Sequence, residues 1–156
     1  MARKLQIAVV GDNNPSPEVT QLAEEIGQAL AQREAIVVCG GLGGVMAGVA
    51  RGAAAQGGTT IGILPSYDAT TGNSSLSIVI PSGLGHARNM LVVASGDAVI
   101  ALPGSYGTLS EVALALKLGK PVIGVNAWGD VKGVQAAKTA DEAVTLALAA
   151  AHRING

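Results

Sequence analysis

The chain has 156 residues, enough for one compact domain, and 49% of them are hydrophobic although only 2% are aromatic. The 10 basic and 11 acidic side chains give a formal net charge of −1 without a Lys/Arg cluster, which argues against nucleic-acid or polybasic membrane binding. The single cysteine, Cys39, excludes an intrachain disulfide and favours a reducing compartment. Since neither a signal peptide nor a transmembrane run is found, we expect a cytoplasmic protein without membrane partners.

The first half of the chain alternates short apolar runs with helical patterns. Leu5–Val10 is a continuous apolar run, as in a strand buried on both faces. Ser16 followed by Pro17 predicts the N-cap and first position of a helix. The next predicted elements are a strand over Ala35–Cys39, a helix from Val45 to Ala53 closed by Gly57 and Gly58, and a strand over Thr59–Leu64.

The second half continues this alternation after a polar stretch, Ser66–Ser77, which predicts a surface loop and candidate lid. The elements predicted after it are a strand at Ile78–Ile80, a helix over Leu84–Ser95, a strand over Asp97–Leu102, a helix over Thr108–Leu118, a strand at Val122–Val125, a short strand near Gly133–Ala136 and a helix over Asp141–His152. Such alternation implies parallel strands joined by right-handed crossovers. We therefore predict a single α/β domain over residues 1–156, with a Rossmann-like, doubly wound, mainly parallel sheet of six or seven strands flanked by helices.

Three glycine-rich segments follow predicted strands: Gly11, Gly40–Gly44 and Pro103–Gly107. In a doubly wound sheet these positions share the edge at which ligands bind, beyond the carboxyl ends of the strands. Their convergence is the strongest sign of a binding site in the sequence.

The segment Pro103–Glu111 leaves a strand and enters a helix, so its free N–H groups and the helix dipole favour an anion. The hydroxyls of Ser105 and Thr108 can add hydrogen bonds to phosphate oxygens; the alternative is a tight turn alone. Glu111 has two interpretations. It completes a capping box with Thr108, or its carboxylate lies beside a bound sugar or pterin as a hydrogen-bond acceptor or acid/base group.

The segment Gly40–Gly44 predicts a second phosphate- or ring-binding loop, or alternatively close helix–sheet packing, which also favours glycine. It departs from the dinucleotide fingerprint. Met46 stands at the position of the third glycine, and Ile61 stands where an acidic residue would contact the ribose. Chemistry dependent on NAD is therefore not expected.

Three further residues have open alternatives. Arg88 pairs with phosphate or is a surface helix arginine, and His86 contacts a ligand or is a partly exposed turn residue. Cys39 fills space at a strand end or lies near a ligand. Neither a nucleophile elbow nor a Walker A loop is present, because Pro103 and Pro121 interrupt the patterns. The scattered histidines and cysteine predict no metal site.

Four blocks resemble, in order, those of the LOG-like ("Lonely Guy") Rossmann proteins, often mislabelled lysine decarboxylases: Gly40–Met46, Ile61–Pro65, Gly85–Asn89 and Pro103–Glu111. Gly119–Gly124 and the Ala-Arg-Asn block resemble the branch that contains the molybdenum cofactor carrier proteins. The lysine decarboxylase label has no support, since no lysine suggests a pyridoxal phosphate site.

The resemblance implies a phosphate-bearing ligand, and homodimers or dimers of dimers with the helix after Arg88 near the interface. In the phosphoribohydrolases of this superfamily, Arg88 and Glu111 match the catalytic positions, but Asn89, Ser105 and Ser110 depart from the hydrolase pattern. The candidate ligand-binding residues are Gly11, Asn13, Gly40, Gly41, Gly43, Gly44, Met46, Arg88, Asn89, Gly104, Ser105, Tyr106, Gly107, Thr108 and Glu111.

Three functions follow from these expectations. The first is a non-catalytic carrier that stores or transfers molybdenum cofactor, a pterin with a terminal monophosphate. The second is a phosphoribohydrolase that cleaves the N-glycosidic bond of nucleoside 5′-monophosphates without a cofactor, using Arg88 and Glu111. The third is a nucleotide-binding sensor. The departures from the hydrolase pattern favour binding over hydrolysis.

Overall fold

Seven parallel strands form one sheet in the computed structural model, which describes residues 2–155. In chain order the elements are β1 (Gln6–Val10), α1 (Pro17–Gln32), β2 (Ile36–Cys39), α2 (Val45–Ala55), β3 (Thr60–Leu64), β4 (Ile78–Pro81), α3 (Arg88–Ser95), β5 (Ala98–Ala101), α4 (Tyr106–Lys117), β6 (Val122–Val125), β7 (Val134–Ala137) and α5 (Ala140–Asn155). The strand order is β4-β3-β2-β1-β5-β6-β7. The predicted doubly wound α/β fold is confirmed.

The order of the strands reverses at β1, which pairs with β2 on one side and β5 on the other. The chain runs outward from this point in both directions, so the loops after β1 and β5 diverge and leave a crevice between them. A hydrogen bond of 3.2 Å from the Asp12 amide to the Pro103 carbonyl joins the two loops. The fold therefore opens its crevice where the glycine-rich segments were expected.

Both faces of the central strand are buried. Ile7 and Val9 belong to the core beneath α1, α2 and α5, whereas Ala8 and Val10 belong to the core beneath α3 and α4. This explains the continuous apolar run of β1. No helix within residues 2–155 combines the length and the apolarity that crossing a membrane requires.

Glycines allow α1 and α2 to pack closely. A Cβ atom at Gly27 would lie 2.1 Å from the Val49 carbonyl oxygen, and one at Gly52 would lie 2.0 Å from the Glu24 carbonyl oxygen. Such contacts place backbone against backbone, so few large side chains are needed between these layers. The close packing of these helices thus accounts for part of the high content of small residues in the chain.

Two helices begin two or more residues away from the predicted positions. The helix predicted from Leu84 starts at Arg88, because Gly85–Ala87 form a 3-10 turn that begins at a left-handed glycine, with φ of 59° at Gly85. The helix predicted from Thr108 starts at Tyr106, with Ser105 as its N-cap residue. The predicted start of α1 is confirmed: Ser16 Oγ accepts the Val19 amide at 3.2 Å.

The polar loop between β3 and β4 is held to the neighbouring loop by Asn73. Its side-chain amide donates to the carbonyls of Gly41 and Leu42 at 3.3 and 3.0 Å, and its backbone amide donates to Gly41 at 2.9 Å. None of Ser66–Ser77 lines the main cleft described below. The loop therefore buttresses the loop after β2.

Candidate functional site

A cleft of about 410 Å³ lies at the reversal of strand order, between the carboxyl ends of β1, β2 and β5. Among the predicted site residues, those that line it are Gly11, Asn13, Gly40, Met46, Arg88, Asn89, Ser105, Gly107, Thr108 and Glu111. The predicted residues outside the lining are Gly41, Gly43, Gly44, Gly104 and Tyr106. The lining also includes residues that the prediction omitted, namely Val9, Val10, Asp12, Leu42, Pro65 and Gly85.

Asp12 is the omitted residue with a signal in the sequence. It stands between Gly11 and Asn13, at the carboxyl end of the central strand, where the fold itself predicts ligand contacts. Leu42 and Pro65 carry no such signal, because apolar loop residues occur at many positions. They supply an apolar part to the cleft wall.

The N-terminus of α4 faces the cleft with unpaired backbone amides. Ser105 occupies the N-cap position but makes no capping hydrogen bond through its side chain. Within residues 2–155, the amides of Tyr106, Gly107 and Thr108 have no hydrogen-bond acceptor. Such amides, together with the helix dipole, form an anion-binding site.

Glu111 also lines the cleft, and its predicted capping role is wrong. Because α4 begins at Tyr106, Glu111 is the sixth residue of the helix and lies one turn beyond Thr108. Both side chains are buried, with exposed fractions of 4% for Thr108 and 8% for Glu111. Thr108 packs against Gly104 inside the first turn of the helix, so it does not serve as the N-cap residue that the capping box requires.

Arg88 is buried beneath the cleft, so the alternative of a surface helix arginine is wrong. Its Nε donates to the Ile63 carbonyl at 2.9 Å, and its Nη2 donates to the Gly40 carbonyl at 3.2 Å. Its Nη1 donates to Asn89 Oδ1. These bonds use three of the five guanidinium N–H groups, so the cation is fixed in place with donors to spare.

Asn89 and Ser110, two of the residues that depart from the hydrolase pattern, connect α3 with α4. The Asn89 side-chain amide donates to Ser110 Oγ at 3.4 Å, and Ser110 Oγ donates to the Gly107 carbonyl at 2.6 Å. The two polar side chains therefore link the Arg88 guanidinium to the first turn of α4.

Arg88 and Glu111 are the buried ionisable groups of the cleft. Burial raises the pKa of Glu111 to about 7, although the charge of Arg88 acts in the opposite direction. Burial also lowers the pKa of Arg88, and Glu111 opposes that shift. Within residues 2–155, no ion pair of 4.0 Å or less involves either side chain. The cleft thus contains a buried cation without a carboxylate paired to it.

The sequence model of the SLOG cluster4 family matches residues 4–153. The chain belongs to this family. The predicted resemblance to LOG-like Rossmann proteins is therefore confirmed.

Solved structures with the same fold include two proteins that bind molybdenum cofactor. The molybdenum cofactor binding protein of the phototrophic bacterium Rippkaea orientalis has a TM-score of 0.90 and 36% identity, covering 96% of this chain and 98% of that one. The molybdenum cofactor carrier protein of Chlamydomonas reinhardtii has a TM-score of 0.88 and 32% identity, covering 95% and 98%. A sequence relative, the cytokinin riboside 5′-monophosphate phosphoribohydrolase of Mycobacterium tuberculosis, is 34% identical over 76% of this chain and 68% of its own length.

The loop after β2 in this SLOG cluster4 protein is built mainly by packing. Gly44 has φ of 64°, and a Cβ atom there would lie 2.3 Å from the Asp12 carbonyl oxygen. That oxygen accepts the Val45 amide at 2.9 Å, so the first amide of α2 already has a protein partner. Gly40 alone among the glycines of this loop lines the cleft.

The structure gives different answers to the alternatives left open for Cys39 and His86. Cys39 is fully buried outside the cleft lining, and burial raises the pKa of its thiol to about 11, so it fills space as an uncharged side chain. His86 lines the cleft and is exposed. It lies in the turn before α3, where it can reach a ligand at the cleft mouth.

Proposed function

We propose that this SLOG cluster4 protein binds a phosphate-bearing small ligand in its cleft, and that the ligand is molybdenum cofactor, which the protein stores or transfers in the cytoplasm. The chain then acts as a carrier and has no catalytic step of its own. Similarity over nearly the whole length of two molybdenum cofactor binding proteins supports this choice of ligand.

The observation that carries the proposal is the unpaired first turn of α4 beside the buried Arg88. Three free amides and a fixed guanidinium suit a phosphate group, which offers several acceptor oxygens and negative charge. Within residues 2–155 neither feature has a protein partner of opposite charge at ion-pair distance. A phosphate monoester would satisfy both.

The rest of the cleft suits a flat heterocycle. Leu42, Met46 and Pro65 provide apolar contacts, while Asp12 and Asn13 add polar groups to the lining. A volume of about 410 Å³ lies within the range of roughly 300–1,000 Å³ for small-molecule sites. The ring of a pterin would therefore be shielded while its phosphate is anchored.

To test this proposal, the protein is incubated anaerobically with molybdenum cofactor released from a molybdoenzyme, and bound pterin is measured after gel filtration. We expect saturable binding by the wild type and a loss of at least about tenfold in affinity for Arg88→Gln, because a buried charge-assisted partner is removed. The matched control is Arg51→Gln, since Arg51 pairs with Glu24 on the surface. Equal retention by the wild type and an unrelated protein would end the carrier proposal.

Hydrolysis of nucleoside 5′-monophosphates is the second candidate function. The positions of Arg88 and Glu111 in one cleft favour it, as does the Mycobacterium tuberculosis relative. Glu111 would have to act as a carboxylate that stabilises positive charge on the sugar. Release of free base from a panel of nucleoside monophosphates, abolished in Glu111→Ala, would establish this activity, and no release from any of them would exclude it.

We also propose that the chain forms a homodimer or a dimer of dimers through α3 and α4. Met90, Leu91 and Leu109 are partly exposed apolar side chains on these helices. By contrast Val92, Val93, Val112 and Ala115 on the same two helices belong to the core. Sedimentation equilibrium of the wild type and of Leu91→Glu tests the seam; a wild-type monomer would contradict it.

A further inference from the structure

Glu111 is a buried acid without a partner. Its side chain is more than nine-tenths buried and lines the cleft. Within residues 2–155 it makes neither a hydrogen bond nor an ion pair. Polar groups of buried residues pair with protein, water or ligand in the great majority of cases. The Glu111 carboxyl keeps contact with the cleft and has no protein partner, so its partner must come from the cleft.

The surroundings of Glu111 select an anionic ligand. One turn before it, α4 presents the free amides of its first turn, and Arg88 lines the same cleft. Thr108 and Glu111 are about one helical turn apart, roughly 5 Å along the axis, so an anion bound to these donors shares the cleft with the Glu111 carboxyl. An ionised carboxylate at that distance would repel the anion, whereas a neutral carboxylic acid can donate a hydrogen bond to it.

We propose that Glu111 is a specificity-determining residue that recognises the phosphate-bearing ligand as a neutral acid, donating its proton in a hydrogen bond, so that binding takes up one proton. The proton comes from solvent and stays on the Glu111 carboxyl in the complex. This inference rests on the proposed function and adds a regulation to it: the cleft releases its ligand as the pH rises.

The charged and titratable groups that share the cleft with Glu111 or interact with it electrostatically come from several elements. They are Arg88 on α3, Cys39 at the end of β2, Asp12 after β1 and His86 in the turn before α3. Arg88 stays charged across the physiological range, and the thiol of Cys39, with its pKa of about 11, stays neutral. Asp12 and His86 are therefore replaced one at a time as controls in the experiment below.

Burial supports this assignment, because it brings the pKa of Glu111 to about 7, against 4.5 for an ordinary glutamate. About half of the free protein is then protonated at neutral pH. A ligand that binds only the protonated form has an apparent Kd that rises about tenfold for each pH unit above 7. The neutral acid also leaves the complex without the carboxylate that hydrolysis requires, which agrees with a carrier.

The experiment measures the Kd of AMP by calorimetry at about pH 6 and about pH 8.5 for the wild type, Glu111→Gln, His86→Asn and Asp12→Asn. The phosphate of AMP titrates with a pKa near 6, but it does so equally for every variant, so the ratio of wild-type Kd to Glu111→Gln Kd is the readout. We expect this ratio to rise about 30-fold between the two pH values. His86→Asn and Asp12→Asn are expected to keep the rise.

Glu111→Gln keeps a hydrogen-bond donor at the same place, so it is expected to bind AMP at about pH 6 within about threefold of the wild type. Glu111→Ala serves as the second variant; it is expected to bind more weakly at about pH 6 and to lack the same pH dependence. In the wild type, calorimetry in two buffers of different ionisation enthalpy at about pH 8 should show an uptake of close to one proton.

Two results would overturn the inference while leaving the proposed function intact. One is AMP binding whose pH dependence is identical in the wild type and Glu111→Gln. The other is loss of binding in Glu111→Gln at about pH 6, because a carboxylate would then be required. Absence of AMP binding to the wild type at both pH values would overturn both this inference and the anion site itself.

Discussion

Two turns at the same edge of the sheet look alike in the sequence and differ in the structure. Both Gly40–Gly44 and Pro103–Thr108 lead from a strand into a helix and are rich in glycine. In the first turn, the Val45 amide of α2 donates to the Asp12 carbonyl at 2.9 Å, which leaves the amides of Met46 and Ala47 without an acceptor within residues 2–155. In the second, the leading amides of α4 have no acceptor within residues 2–155.

The difference lies in what the glycines do. Gly44 has a left-handed φ and lies against the backbone of Asp12 and Asn13, so its lack of a side chain serves packing. Gly107 has open space around it, and its turn presents amides to a cleft. Glycine content therefore marks a close approach of the backbone, and the partners of the amides decide whether that approach is to protein or to ligand.

Gly44→Ala should have the largest effect. The Cβ atom would lie 2.3 Å from the Asp12 carbonyl oxygen, at a backbone conformation with φ of 64°. Steric overlap and backbone strain together should cost about 4 kcal/mol of unfolding free energy. Urea unfolding measures this cost, and a loss below about 1 kcal/mol would show that the first turn is not built by packing.

The sheet and the positions of the glycine turns could be predicted from the sequence, because apolar runs of four to six residues alternate with amphipathic patterns and the turns follow them. The start of α4 could not. Thr108 with Glu111 is the better local capping pattern, but the packing of Thr108 against Gly104 moves the start to Tyr106. A local pattern carries no information about such a contact.

The burial of Arg88 was equally hidden. Its acceptors are the carbonyls of Ile63 and Gly40, which are distant in sequence and are brought together by the sheet. The contact with Arg88 also explains why position 40 is a glycine, since a Cβ atom there would lie 2.7 Å from Arg88 Nη2. Resemblance pointed to Arg88, and the fold supplies the physical cause.

Glu111→Gln should show that the helix after the second turn contains a buried acid that lowers the stability of the protein at neutral and higher pH. The pKa of Glu111 is about 7 when folded and 4.5 when unfolded, so the folded state binds the proton more tightly. Stability from this group is complete below about pH 4.5, falls as the pH rises and is lost above about pH 7. The difference corresponds to about 3 kcal/mol.

Accordingly, the gain in unfolding free energy of Glu111→Gln over the wild type should be about 3 kcal/mol greater at about pH 8 than at about pH 4. Chemical unfolding at the two pH values measures it. Glu25→Gln, at an exposed position on α1, is the control and should show no such trend. A gain that does not change with pH would contradict the burial of an unpaired acid beside α4.

Thr108→Val tests the hydroxyl of the second turn. Thr108 lines the cleft, and its hydroxyl makes no hydrogen bond to residues 2–155. Loss of this hydroxyl should therefore weaken AMP binding about fivefold, or about 1 kcal/mol. Thr60→Val is the matched control, because the buried Thr60 hydroxyl also has no partner but lies at the amino end of β3. If the two substitutions have equal effects on AMP affinity, the Thr108 hydroxyl does not contact the ligand.

Gly107→Ala should have the smallest effect and the opposite sign to Gly44→Ala. A Cβ atom at Gly107 meets nothing within 4 Å, and the residue lies in the first turn of α4. Alanine in a helix should add about 0.5 kcal/mol to the unfolding free energy. Thermal unfolding of Gly44→Ala and Gly107→Ala, measured side by side, tests this difference in sign. If Gly107→Ala also destabilises the protein, the proposed difference between the two turns is wrong.

Amide NMR of the isotopically labelled protein titrated with AMP measures directly where a phosphate group binds. The phosphate should shift the amides of Tyr106, Gly107 and Thr108 most strongly, while the amide of Val45, already bonded to Asp12, should shift little. Shifts centred on Gly41–Val45, with α4 unchanged, would contradict the account.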